Sequence, residues 1–155
     1  AKIAPAGYGF MLNDEMDDFS PNPFSPNCIA PGKYPLSSMS PTLVLKDGQP
    51  LLALGAPGST RIISGVMQVI TKVIDHGMDV QDAIDAVRMH DDFGTLILER
   101  RVSDEPVEAL RNMGHEVNVS EVWFTFPCVQ AVQRLSDGTL RGAADPRRDG
   151  KAAAY

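Results

Sequence analysis

An Asp-Gly pair between two apolar runs constrains the fold of this chain more than any other feature. The runs are TLVLK at residues 42–46 and PLLAL at residues 50–54, with Asp47-Gly48 between them. Asp and Gly tolerate the backbone angles that a tight hairpin turn requires. The sequence therefore predicts two adjacent antiparallel strands.

The hairpin leads directly into a segment with helical periodicity. From Ser59 onward, apolar residues share one helical face until His76-Gly77, where glycine is suited to a C-terminal cap. The residues on that face are Ile62, Ile63, Val66, Met67, Val69, Ile70 and Val73. The pattern predicts a long buried helix.

Two shorter helices and several further strands are expected. Asp79 and Asp104 are suited to N-caps, and Gly114 to the end of the third helix. The apolar positions of these helices are Val80, Ala83, Ile84 and Val87, then Val107 and Leu110. Residues 1–40 are rich in Gly, Pro, Asn and Ser and are expected to be ordered loop, with GYGFML at 7–12 as a candidate strand. Strands are expected at 95–98, 116–119, 129–132 and 139–141. This order predicts an α+β layered fold in a single domain, residues 1–155.

Composition narrows the range of functions. The formal charge is −6 and the densest basic group is Arg147-Arg148 with Lys151, so no nucleic-acid partner is expected. Polar residues break the apolar stretches well short of a membrane span. Cys28 and Cys128 lack the spacing of a zinc site or a disulfide framework, and no metal or cofactor is expected. The chain does not begin with Met, so we expect that processing or truncation removed an upstream segment.

An acidic cluster is the first candidate for chemistry. Asp14, Glu15, Asp17 and Asp18 place four carboxylates in five positions, and these repel one another unless some bind a cation or an amine. The Asp-x-Asx-x-Asx-Gly pattern of a calcium loop is absent, which favours an amine over a metal. The alternative is a solvated loop.

The stretch PLSSMSPT, residues 35–42, places Ser37, Ser38 and Ser40 between two prolines. A serine nucleophile normally needs a nearby base and a Gly-x-Ser-x-Gly elbow, and neither is present. The hydroxyls are better suited to donating hydrogen bonds to a ligand. The alternative is an ordinary turn at the entrance to a strand.

The stretch GAPGSTR, residues 55–61, joins the hairpin to the long helix. Backbone N–H groups at such a turn, aided by the helix dipole, suit an anion or an oxyanion. The alternative is that Ser59 or Thr60 simply caps the helix. A phosphate-binding P-loop is excluded because the Gly-Lys-Ser/Thr ending is missing.

The histidines and Trp123 are expected to be structural. His76 and His115 neighbour glycines at predicted helix or loop ends, where a cation complements the helix dipole. His90 follows Arg88 and precedes two aspartates, which predicts a local ion-paired network. Trp123 is expected to pack as a core aromatic residue.

Four motifs occur in order along the chain: LNDEMDDFS, PGKYPLSSMSPTLVLKDGQP, LGAPGSTRIISGVMQVI and GAADPRRDG. Together they resemble the small subunit of γ-glutamyltranspeptidase, an N-terminal-nucleophile hydrolase, and the resemblance covers residues 1–155. It implies an αββα sandwich, formed by a precursor that cleaves itself into a large and a small subunit. The chain would be the C-terminal part of that small subunit.

The resemblance also implies roles for the acidic and serine motifs. Glu15 and Asp18 match residues that bind the α-amino group of a γ-glutamyl substrate. Ser37 and Ser38 match the paired serines that hydrogen-bond its α-carboxylate. Residues 20–35 are shorter than the family's segment, which includes a lid, so a more open substrate pocket is expected.

The resemblance implies that some catalytic residues lie in this chain and that others lie outside it. Gly58 and Ser59 match the family's Pro-Gly-Gly turn, whose N–H groups form the oxyanion hole, and serine in place of the second glycine retains a backbone N–H. The family's nucleophile is an N-terminal threonine, which Ala1 does not match. The threonine and a large-subunit arginine are therefore expected from outside this chain.

By resemblance, the expected activity is γ-glutamyl transfer or hydrolysis through an acyl-enzyme, with glutathione as the default donor and the large subunit as partner. A poly-γ-glutamate-processing enzyme, a cephalosporin (glutaryl) acylase and an inactive interaction module are the alternatives. The bacterial family pattern would place the protein in the periplasm or outside the cell, and a cytoplasmic location stays open.

Overall fold

The computed structural model describes residues 3–121 and 126–154, so Trp123 lies outside the described residues. They divide into two units, Ala1–Ser37 and Ser38–Tyr155, and the single-domain assignment stays a prediction. The regular element of the described part of the first unit is a 3-10 turn, Glu15–Asp18. The candidate strand at 7–12 is wrong, and the loop predicted for this region is found there instead. Gly7 and Gly9 have φ angles of 85° and 70°, which a β-strand does not accommodate.

Seven strands and three α-helices are found in the described part of the second unit. The strands are β1 Thr42–Lys46, β2 Gln49–Gly55, β3 Met89–Asp92, β4 Thr95–Glu99, β5 Glu116–Ser120, β6 Gln130–Arg134 and β7 Leu140–Ala143. The helices are α1 Ile62–Ile74, α2 Val80–Asp85 and α3 Asp104–Asn112, and a second 3-10 turn, Ser59–Arg61, precedes α1. The mixture confirms the α+β class.

The main sheet has the strand order β1-β2-β6-β7, and its neighbouring strands are antiparallel. The predicted hairpin is confirmed as β1 and β2. Asp47 and Gly48 both have positive φ angles, 52° and 75°, as a two-residue hairpin turn requires.

The small sheet has the strand order β3-β4-β5. Strand β4 is antiparallel to β3 and parallel to β5, and α3 lies in the connection between the two parallel strands. The sequence analysis predicted β4 and β5 but missed β3, because Met-His-Asp-Asp has no clear apolar alternation.

The core lies between one face of the main sheet and helices α1 and α2. Its buried residues are Leu52, Leu54, Ile62, Val66, Val69, Val73, Val80, Ala83, Ile84, Val129, Ala131 and Ala143. Most of the apolar face predicted for α1 belongs to this set, whereas Ile63 and Met67 are exposed. Burial of this stripe stabilises a helix that follows the hairpin directly.

The end of α2 and the N-cap of α3 differ from the prediction. Asp79 caps α2 as predicted, since its Oδ1 accepts the Gln81 N–H at 2.9 Å, but α2 ends at Asp85 and leaves Val87 outside. Ser103, not Asp104, is the N-cap residue of α3. In both cases the apolar pattern located the helix and misjudged its end by a turn or less.

The other face of the main sheet is apolar and exposed. Leu43, Val132 and Leu140 are 43–66% exposed there, opposite the face that packs on the helices. The helices of the described residues are too short or too polar to cross a membrane.

Candidate functional site

The acidic cluster forms the 3-10 turn Glu15–Asp18, and only two of its carboxylates are drawn inward. A 3-10 helix has about three residues per turn, so Glu15 and Asp18 lie on the same face. Both are half-buried, whereas Asp14 and Asp17 are exposed. Glu15 and Asp18 are thus the less exposed pair of the cluster.

The first serine of the Ser-Ser pair lies beside this turn. Ser37 Oγ donates a hydrogen bond to Glu15 Oε1 at 3.4 Å, although 22 positions separate the two residues. Within residues 1–37, a residue predicted to bind the substrate's amino group therefore contacts a residue predicted to bind its carboxylate.

Asn27 connects the two segments, and the sequence analysis missed it. Its Nδ2 donates to the Asp18 carbonyl at 2.8 Å, and its Oδ1 accepts the Leu36 N–H at 3.0 Å. Each partner is nine residues away, so no local pattern signals the role. Asn27 holds the end of the acidic turn next to the residue that precedes Ser37.

The second serine belongs to the unit 38–155, at the approach to β1. Ser38 is half-buried. Ser40 Oγ donates to the Ser38 carbonyl at 3.0 Å, and Thr42 Oγ1 donates to the Ser40 carbonyl at 3.0 Å. These two hydroxyls hold the backbone that follows Ser38, so Ser40 has a structural contact within the approach to β1.

The Gly58-Ser59 turn lies between β2 and α1. Gly58 has φ 147° and Ser59 has φ 55°, and both values lie in the region that favours glycine. Neither backbone N–H donates to an acceptor within the described residues. The N-cap positions of the 3-10 turn and of α1 are Gly58 and Arg61, without side-chain caps, so helix capping does not account for Ser59 or Thr60.

A buried ion cluster, Arg88, Glu99, Asp145 and Arg147, lies behind this turn, and its residues are at most 3% exposed. Arg88 pairs with Asp145 at 2.6 Å, Arg147 pairs with Glu99 at 2.6 Å, and Arg147 also pairs with Asp145 at 3.0 Å. Burial lowers the pKa of Arg88, and the charge of Asp145 opposes that shift. The cluster joins α2, β4 and the C-terminal segment, which are far apart in sequence.

Arg88 does not belong to the ion-paired network expected around His90. Arg88 points into the core, and His90 Nδ1 instead lies 2.9 Å from Ser64 Oγ on α1. Asp91 Oδ1 accepts the Gly94 N–H at 3.0 Å. The Ser64–His90 contact joins α1 to β3, which is a structural role.

Cys28 and Cys128 are free thiols. Burial raises the pKa of Cys128, as does the nearby charge of Asp145. No group of three or more His, Cys, Asp and Glu residues within 3–121 and 126–154 is arranged to hold a metal ion.

Comparison with known proteins gives a consistent result. The family model described as gamma-glutamyltranspeptidase matches residues 1–155. The glutathione hydrolase proenzyme of Escherichia coli is 38% identical over 151 residues, which covers 90% of this chain and 26% of the relative. The Acylase ACY 1 proenzyme of Pseudomonas sp. strain SE83 is 39% identical over 144 residues, covering 93% and 25%.

A solved structure is also similar to this chain in sequence and fold. A Helicobacter pylori gamma-glutamyltranspeptidase mutant aligns with a TM-score of 0.79 and 37% identity, covering 94% of this chain and 86% of that chain. The present chain thus spans about a quarter of the curated relatives but most of the solved chain. The fold is that of the N-terminal-nucleophile hydrolases.

Proposed function

Because the chain belongs to the γ-glutamyltranspeptidase family, we propose that it supplies the donor-binding and oxyanion residues of an enzyme that transfers or hydrolyses γ-glutamyl groups. Glutathione is the proposed donor. We assign the nucleophilic threonine to a position outside this chain.

One observation carries the proposal: Glu15 and Asp18 share a face of a single 3-10 turn, and the Ser37 hydroxyl lies against Glu15. Paired carboxylates accept hydrogen bonds from an ammonium group, and hydroxyls donate to a carboxylate. An α-amino acid head group presents both. We assign the ammonium to Glu15 and Asp18, and the α-carboxylate to Ser37 and Ser38.

The proposed chemistry needs donors at the carbonyl under attack. As the threonine oxygen attacks the γ-carbonyl carbon, negative charge develops on the carbonyl oxygen, and the N–H groups of Gly58 and Ser59 stabilise it. Collapse of this tetrahedral intermediate breaks the C–N bond, the leaving amine takes up the proton that the threonine hydroxyl lost on attack, and an acyl-enzyme ester remains. Water then completes hydrolysis, and a second amine completes transpeptidation.

The partner in this proposal is the remainder of the proenzyme. The face of the main sheet that carries Leu43, Val132 and Leu140 is apolar and exposed. An exposed apolar sheet face is typical of a surface that packs against another layer. We assign it to the large subunit, which supports the αββα arrangement of the complete enzyme.

A glutaryl acylase is the second candidate, because the Acylase ACY 1 proenzyme is as similar to this chain as the glutathione hydrolase proenzyme. Glutaryl and γ-glutamyl groups differ by the α-amino group. The shared face of Glu15 and Asp18 favours a ligand that carries that amine.

The test compares two anilides in the full-length protein, γ-glutamyl-p-nitroanilide and glutaryl-p-nitroanilide. We expect the wild type to prefer the γ-glutamyl anilide. Asp18→Asn should lower its kcat/KM by about 10- to 100-fold, since a hydrogen bond to a charged group contributes about 1.5–3 kcal/mol. The glutaryl reaction should change little.

Asp17→Asn is the matched control, since Asp17 lies on the same turn but is exposed. A wild-type preference for the glutaryl anilide would favour the acylase. Equal losses on both anilides in Asp18→Asn would remove the amine-binding role from Asp18.

A further inference from the structure

We propose that Pro127 is a positioning residue for the Gly58-Ser59 turn, and that the buried Arg88–Asp145 pair holds Pro127 in place. The inference rests on the oxyanion role proposed above. It adds a residue far from the turn in sequence, in a segment to which the sequence analysis gave no function.

The Pro127 ring is wedged between the turn and α1. A Cβ atom added at Gly58 would lie 2.8 Å from Pro127 Cβ and 2.9 Å from its Cα. A Cβ atom added at Gly65, on α1, would lie 2.2 Å from Pro127 Cγ. All three distances are below ordinary van der Waals contact, so the proline occupies the space that side chains at these two glycines would need. The ring fixes how far the turn stands from the helix.

The segment that carries this ring is held at successive backbone groups. The Pro127 carbonyl accepts a hydrogen bond from Arg88 Nη1. The Cys128 N–H donates to the Pro57 carbonyl at 3.3 Å, which bonds the segment directly to the turn. The Val129 N–H donates to Asp145 Oδ2 at 2.8 Å.

Arg88 is itself fixed on two sides. Its Nη1 donates to Asp145 Oδ2 at 2.6 Å, and its Nη2 donates to the Ile84 carbonyl at 2.7 Å. Asp145 therefore reaches the turn by two routes, through Arg88 and Pro127 and through the Val129 amide. A rigid buried anchor of this kind is what oxyanion donors require, because their effect depends on being oriented before the reaction begins.

The kinetic signature follows from where the turn acts. Oxyanion donors contribute mainly in the transition state, so a shift of the turn should lower kcat and leave the donor KM unchanged. A displacement of about 1 Å at a reacting group can cost about 100-fold in rate. Loss of folding alone would lower the amount of active enzyme but would leave kcat per active molecule unchanged.

The experiment is a double-mutant cycle in the full-length protein, with kcat and KM for γ-glutamyl-p-nitroanilide calculated per molecule of processed enzyme. Gly65→Ala should push the ring toward the turn and lower kcat by about 100-fold. Pro127→Ala removes Cγ and Cδ, keeps the carbonyl, and should lower kcat by about 10-fold. The double variant should return to the Pro127→Ala value, because the ring atom that clashes with the methyl group introduced on α1 is gone.

Pro106→Ala is the control, since Pro106 is an exposed proline on α3. It should leave kcat and KM at wild-type values. Circular dichroism and intact mass verify folding and processing of each variant, and the milder Pro127→Ala serves if Gly65→Ala does not fold.

Two results would overturn the inference while the proposed function stands: an active wild type with unchanged kcat in Pro127→Ala, or a double variant whose loss is the product of the single losses. If the wild type cleaves only the glutaryl anilide, the same cycle on that substrate tests the positioning role. A processed wild type inactive on both anilides would overturn the proposed function and this inference together.

Discussion

Ser59 carries backbone strain at the position where the chain departs from its family's Pro-Gly-Gly turn. Its φ of 55° lies in the left-handed region, which costs a non-glycine residue about 1–2 kcal/mol. Strain of this kind persists where the surrounding structure imposes it, and the Pro127 segment provides that constraint. The side chain is exposed, so packing does not compensate for the cost.

Replacing Ser59 by Gly should therefore stabilise the protein. We expect the free energy of unfolding to rise by about 1 kcal/mol, reduced by the greater chain entropy that glycine gives the unfolded state. The backbone N–H remains, so kcat should stay within a few-fold of wild type. Denaturant unfolding and anilide kinetics measure both quantities.

Ser59→Ala separates strain from the loss of the hydroxyl. Alanine retains the Cβ atom and hence the strain, so it should give no stabilisation. If Ser59→Ala stabilises the protein as much as Ser59→Gly, left-handed strain is not the cause.

At the scale of elements, the acidic turn shows how a short segment places two carboxylates on one face. The 3-10 geometry aligns Glu15 with Asp18, and Asn27 fixes the end of the turn against residue 36. The acidic motif alone left a solvated loop open as the alternative. Glu15 and Asp18 are half-buried and the other two carboxylates are exposed, which is consistent with the proposed amine-binding pair.

Asn27→Ala should loosen this arrangement. It removes two hydrogen bonds, each contributing about 1 kcal/mol, so we expect the donor KM to rise by about 10-fold or more, with kcat less affected. Michaelis constants for γ-glutamyl-p-nitroanilide in the full-length protein measure the effect.

Asn22→Ala is the matched control, because the Asn22 side chain accepts only a local bond, from the Phe24 N–H at 2.9 Å. It should leave the donor KM near the wild-type value. Equal increases in both variants would mean that general loosening of residues 20–36, not the link made by Asn27, controls donor binding.

At the scale of the whole molecule, the helices of the described residues cover only one face of the main sheet. Leu43 on the other face is 57% exposed. A charge there should do little to the fold of this chain, since exposed positions tolerate substitution within about 0.5 kcal/mol. It should matter where the rest of the proenzyme packs.

Leu43→Glu should weaken the association of the processed subunits. Burying a leucine side chain contributes about 1.5–3 kcal/mol, so the dissociation constant should rise by about 10-fold or more. Co-purification of the subunits after processing, at several protein concentrations, measures the change.

Met113→Glu is the control, at an apolar residue 72% exposed beyond the end of α3. It should not alter the association. If Leu43→Glu and Met113→Glu behave alike, the exposed sheet face is not the surface that packs on the large subunit.

Local patterns determined much of this fold. The Asp-Gly hairpin, the apolar stripe of α1 and the cap at Asp79 were predictable because each depends on residues only a few positions apart. The family motifs likewise identified the four polar side chains proposed to bind the donor. Strand β3 was not predictable, since strand pairing overrides a weak local pattern.

The tertiary structure alone decided what holds the candidate site. Asn27 reaches partners nine residues away on either side, and Arg88 reaches Asp145 across 57 positions. Pro127 fills the space left by two distant glycines. Such contacts depend on the relative placement of packed elements and leave no periodic signal in the chain. The sequence by itself therefore named the groups suited to bind a γ-glutamyl donor, and only the folded chain revealed which residues keep them in position.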